Sequence, residues 1–172
     1  TSEQIVQNWE RLLNVIETEF TGERKDKLLS MYKDLEERMC MAPASSFSHF
    51  HNCMPGGYVD HVLRVIECAQ EVYDLWTRMG ADMSGYTKEE LIFVALNHDI
   101  GKMGFPGEGN EIYQPNDSEW HRKNLGKEYK INPNNPFTLV NDLSIWLLQH
   151  YGIEITWNEM LGIKLTDGLY DE

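Results

Sequence analysis

TKEELIFVALNHDIGK, residues 87–102, begins as a helix should and ends on an acid that an apolar helix should not contain. Thr87 and Glu90 form a capping box, in which hydroxyl and carboxylate satisfy free amides of the first turn. The run from Leu91 to Ile100 is apolar on several sides, which predicts a central, buried helix carrying the chain to Lys102. His98 and Asp99 sit back to back inside it. Burying a carboxylate there is costly unless a partner compensates, and a dication is the natural partner. Taken alone, the pair reads equally as a hydrogen-bonded doublet at a helix end, where the helix dipole favours histidine.

Working outward, PGGYVDHVLRV (55–65) opens a second amphipathic helix. Its apolar positions Val62, Val65, Ile66, Ala69, Val72 and Trp76 run to an end near Gly80. His61 lies on the stripe of Val65 and Val72, near the helix start. If the two helices are antiparallel neighbours, the start of this one meets the end of the other, and His61 faces His98 and Asp99. That arrangement requires the 80–86 linker to run back along the bundle, because the first helix is the longer.

Farther upstream, Ile5, Trp9, Leu12, Ile16 and Phe20, then Leu28, Tyr32, Leu35 and Met39, recur at helical spacing. They predict a helical hairpin over residues 1–41, broken by Pro43. Downstream, residues 103–135 have no period and are rich in Gly, Pro and Asn, a connection well beyond the usual ~15 residues of a structureless loop. Helical spacing returns from Leu139 to Tyr151, and Thr156 with Glu159 caps a last helix. No segment shows strand alternation. The expectation is an all-α fold, a compact helical bundle with a long loop over the metal site, in a single domain of 1–172 whose hairpin (1–41) packs on a core of 50–172.

Composition narrows the function. A net charge of −13 over 172 residues repels nucleic-acid backbones and offers membranes no basic face, so generic binding to either is not expected. No apolar run approaches the ~20 residues of a membrane span, and TSEQIVQNWERLL lacks the zones of a signal peptide, which points to a cytoplasmic protein. Cys40, Cys53 and Cys68, without C-x-x-C spacing, read as reduced packing residues.

These motifs resemble the HD-domain superfamily of metal-dependent phosphohydrolases, whose order is a helix-borne His, a His-Asp doublet and a distant Asp. PGGYVDHVLRV and ALNHDIGK (95–102) carry the resemblance, which covers residues 50–172. It implies a divalent cation held by His61, His98, Asp99 and a final Asp. Of Asp142 and Asp167, the second is chosen because LGIKLTDGLYDE (161–172) resembles the family's closing segment. A mixed N/O donor set without thiolate suits Mn, Fe, Co, Ni, Zn or Mg. Such an ion lets hydroxide attack phosphorus near neutral pH, with Asp99 holding or deprotonating the water.

The expected activity is hydrolysis of a phosphomonoester or phosphodiester in a small phosphorylated metabolite, a nucleotide foremost. Lys102, one turn beyond His98, can neutralise the phosphate; its other reading is a cation completing a helix C-terminus. In the long loop, Arg122 offers a fork for phosphate oxygens, and Trp120 and His121 offer surfaces for a base. His51, just before the Gly-Gly turn, belongs to the rim. His49 and His150 read as structural, and Arg64 as a surface residue able to brace a carboxylate. Two other readings stay open: a di-iron oxygenase, for which only His121 and His150 could add ligands, and a non-catalytic regulatory module.

Overall fold

The computed structural model describes residues 1–168; residues 169–172, the end of the segment that suggested Asp167, lie outside it. Among the described residues the chain forms eight α-helices and one two-stranded sheet: α1 (Ser2–Glu19), α2 (Gly22–Asp34), α3 (Glu36–Met41), α4 (Gly57–Arg78), α5 (Lys88–Asn97), β1 (Tyr113–Pro115), α6 (Glu119–Leu125), β2 (Tyr129–Ile131), α7 (Val140–His150) and α8 (Trp157–Lys164). The N-terminal hairpin is present, with its second arm broken into α2 and α3 at Leu35.

Both capping boxes form as the sequence predicts. Thr87 accepts from the Glu90 amide while the Glu90 carboxylate accepts from the Thr87 amide, and Thr156 and Glu159 repeat the arrangement at α8. Helix α5 is the central one, packed between α4 and α8. A continuous core includes Leu12 and Ile16 of α1, Tyr32 of α2, Val62 and Ile66 of α4, Phe93 and Leu96 of α5, Leu147 of α7 and Ile163 of α8.

Helix α5 ends sooner than expected, at Asn97, and a 3₁₀ turn (Ile100–Met103) follows. The cause is α7. Ser144 Oγ accepts from the Gly101 amide at 2.8 Å and donates toward the His98 carbonyl at 3.0 Å, so α7 holds the chain in the tighter turn. A Cβ on Gly101 would collide with the Val140 carbonyl and lie 2.9 Å from the Ser144 amide. Because both obstacles are backbone, Gly101→Ala should cost about 1–3 kcal/mol through overpacking. Urea unfolding measures this, and an unchanged midpoint would rule out the close packing of turn and helix.

The long connection is not structureless. Residues 113–115 and 129–131 pair antiparallel, Gln114 opposite Lys130, and α6 lies between them. Three-residue strands are too short to show alternation. The segment is tied down at its start and again at Gly126. The Arg38 guanidinium donates to the carbonyls of Met103, Phe105 and Gly107, while Ser48 donates its amide to the Gly126 carbonyl at 2.7 Å. The segment therefore packs against the 42–56 loop that carries His51.

The ion pair between Arg24 and Glu159 joins α2 to α8. Glu159 is fully buried, and its Oε2 accepts from Arg24 Nη2 at 2.6 Å. The guanidinium also stands 4.0 Å from the centroid of the Phe93 ring, a cation–π contact that fixes it in place.

Candidate metal centre

Two local devices deliver His61. Gly56 caps α4 with φ +79, a left-handed conformation that costs glycine little. Gly57 passes so close to the Asn52 carbonyl that a Cβ there would collide with it. The Pro-Gly-Gly run thus seats the first turn of α4 against the loop, with His61 one turn inside. Helices α4 and α5 pack on one another, and His61 meets the end of α5 as the antiparallel arrangement requires.

The donor atoms form a nearly equilateral triangle. His61 Nε2 lies 3.3 Å from His98 Nε2, and each nitrogen lies 3.4 Å from Asp99 Oδ2. Donors held about 2.1 Å from a cation stand about 3.4 Å apart in a tetrahedral shell and about 3.0 Å apart in an octahedral one. The triangle has the dimensions of one face of such a shell, and the three residues could hold a divalent cation.

The orientation of His98 supports that fit. Its Nδ1 lies 2.9 Å from the Ala95 carbonyl, which can only accept, so Nδ1 carries the proton. In the neutral ring Nε2 then presents its lone pair to the cluster, which is how a backbone carbonyl orients a metal-binding imidazole.

Asp99 is anchored on its other side. Lys102 Nζ donates to Asp99 Oδ2 at 2.6 Å and to the Ala44 carbonyl at 2.7 Å. Burial alone would raise the Asp99 pKa. The adjoining His61 and His98 rings, with the Lys102 ammonium, overcome it and hold the carboxyl well below the usual carboxylate range. A depressed acid stabilises the fold above its unfolded pKa of about 3.9, and that contribution is lost only as pH falls through the lowered value.

His51 also reaches the cluster. Ser45 Oγ holds the His51 carbonyl at 2.7 Å, and the His51 ring centroid lies 4.6 Å from that of His61. Burial, with His61 and Lys102 beside it, lowers the His51 pKa below the ordinary imidazole value. Lys102 then leads into a cavity of about 810 Å³ between the α2–α3 arm and the long segment, lined also by Tyr113, Tyr129 and Pro106. Nothing in the sequence around Tyr113 marked it. Burial, and then the Asp99 charge, raise its pKa, so its hydroxyl stays protonated.

Other expected residues lie elsewhere. Asp167 is exposed in the turn after α8 and does not join the cluster. There Gly168 donates its amide to Leu165, and the Thr166 hydroxyl bonds the Gly162 carbonyl, which turns the chain toward solvent. Asp142 is likewise exposed, paired with Lys164 at 2.7 Å.

Trp120, His121 and Arg122 also miss the cavity beside the cluster. Ser118 caps α6, and the short helix leaves all three exposed. Arg122 bonds the Asn116 carbonyl at 2.6 Å and lines a separate groove that includes Tyr129. His121 packs on Trp120, and His150 stacks on Trp146. Arg64 braces Asp60 at 3.0 Å. Cys68 is exposed, whereas Cys40 and Cys53 are partly buried. Among the described residues, no helix is long and apolar enough to cross a membrane. No family model, curated protein or solved structure matches the chain.

Proposed function

We propose that the protein is a metal-dependent phosphohydrolase, as its resemblance to the HD-domain superfamily implies, with His61, His98 and Asp99 holding the cation. The observation that carries this reading is the 3.3–3.4 Å triangle of two imidazole nitrogens and one carboxylate oxygen. A divalent cation held there would lower the pKa of water and polarise a phosphoryl oxygen, the two requirements of phosphate-ester hydrolysis near neutral pH. The chain's own residues do the rest. Ala95 fixes the His98 ring, and Lys102 holds Asp99 charged and oriented. The ammonium has three protons and spends two on Asp99 and Ala44, which leaves one for a substrate phosphate.

The cavity beside Lys102 favours a particular kind of ester. Its walls carry Asp34, Glu37, Glu108 and Glu111 against Arg38 and Lys102, and Arg38 is committed to three carbonyls. Such walls repel a polyphosphate chain. They suit a single phosphate on a neutral organic group, as in a mononucleotide or a phosphosugar. A di-iron oxygenase is poorly supported, since His121 and His150 stand on other rings at the surface.

The test is phosphate release from mononucleotides and phosphosugars after reconstitution with Mn, Co, Ni or Mg. Hydrolysis should require the cation, stop on chelation and be absent in His61→Ala. Release that proceeds unchanged after chelation would refute the proposal.

A further inference from the structure

Helix α4 has two apolar faces, and only one is covered. Val62, Leu63 and Ile66 are buried in the core. On a different face, Val72, Leu75, Trp76 and Met79 follow one another at intervals of three, one and three, and these residues are 38%, 43%, 51% and 76% exposed. On a helix these positions form one stripe, which continues back through the exposed Cys68.

The stripe is uncovered because α4 is 22 residues long and α5 is 10, about 33 Å against 15 Å. Tyr73, beside the stripe, packs on Tyr86, and α1 meets α4 on the other side through Arg11 and Glu67. The linker and α1 therefore border the stripe without crossing it.

Its charges are arranged to recognise a copy of itself. Glu71 and Arg78 flank the same edge, seven residues and two turns apart. Neither has an ion-pair partner among the described residues, and Asp74, which could have reached Arg78, instead holds Lys88 at 3.2 Å. Two such helices laid antiparallel about a two-fold axis near residues 73–74 bring Glu71 of each against Arg78 of the other, twice by symmetry. The same register sets Val72 against Leu75 of the second copy and the long Met79 against the small Cys68. The broad Trp76 then covers Ala69. Large residues meet small ones, and each edge charge meets its opposite.

We infer that the C-terminal half of α4 is a homodimer interface, in which residues 68–79 pair antiparallel with the same segment of a second copy. The interface is independent of the metal centre, because His61 lies about two turns from Cys68, its nearest residue, and about five from Met79.

Sedimentation equilibrium of the full chain, from on the order of 1 to 200 µM, should show a monomer–dimer equilibrium. Leu75→Glu should leave a monomer with unchanged circular dichroism. Glu71→Arg and Arg78→Glu should each weaken association about tenfold, whereas the double variant, with both charges exchanged, should recover it to within about threefold. A monomer throughout that range overturns the inference, including one that instead binds lipid vesicles. So does a dimer indifferent to Leu75→Glu or not restored by the exchange.

Discussion

Asp99→Ala is expected to lower cation affinity by more than about a hundredfold, and cation-dependent phosphate release with it, while the helical circular dichroism signal persists. Loss of a partner outside the coordination shell typically costs 10–100-fold in metal affinity, and Asp99 supplies a donor atom directly, as the sole anion in the triangle. Its removal also leaves the two histidines 3.3 Å apart beside the Lys102 ammonium without its counter-ion, so the cluster turns from neutral to cationic and repels a dication. The fold survives because Asp99 lies after the end of α5 and its side chain, among the described residues, meets the side chains of His61, His98 and Lys102 rather than core backbone. Isothermal titration with Mn or Co measures the affinity directly. Asp167→Asn, at an exposed position, is the matched control and should retain the ion. Full affinity in Asp99→Ala would sink the metal assignment, and loss of the ion in Asp167→Asn would bring that turn back into the shell.

The largest effect on stability should come from Arg24. Removing it leaves the fully buried Glu159 carboxylate without its cation, and breaking a buried pair in this way costs about 3–5 kcal/mol. The Arg24 side chain is itself about a quarter exposed, so the lower end, about 3 kcal/mol, is expected for Arg24→Ala. For a chain of this size each kcal/mol moves Tm by about 2–4 °C, which places the shift near 10 °C. A second variant separates pairing from packing. Replacing both residues with apolar ones, Arg24→Met with Glu159→Leu, removes the buried charge together with its partner and should be clearly more stable than Arg24→Ala. A double variant as unstable as the single one would mean that the Phe93 contact and the α8 cap, rather than the ion pair, hold α2 to α8.

What the sequence made legible was chemistry confined to a few neighbouring positions. Capping boxes depend on residues three apart, so Thr87–Glu90 and Thr156–Glu159 could be read directly. The His98–Asp99 doublet stood out because an acid in an apolar helix needs compensation, and His61 followed from pairing a helix start with a helix end. Tertiary packing hid the rest. Gly101 and Ser144 are 43 residues apart, and only their contact converts the end of α5 into a 3₁₀ turn. Val72 and Trp76 have core-like spacing, but α5 is too short to cover them. Tyr113 reaches the site through a three-residue strand whose partner lies beyond a helix. Arg122 and Trp120 suit a phosphate and a base in their chemistry, but the Ser118 cap commits them to a surface helix.

The guanidinium of Arg38 bears on how quickly a ligand can reach the cluster. Gripping three carbonyls of the 103–107 segment, it fixes one wall of the cavity to the other before anything enters. The conformational entropy of ordering that wall is then lost during folding rather than at binding. Arrival needs no hinge at this end of the cavity. Encounter is then limited by diffusion and orientation rather than by a conformational step, and residence time becomes the quantity on which affinity differences between ligands depend.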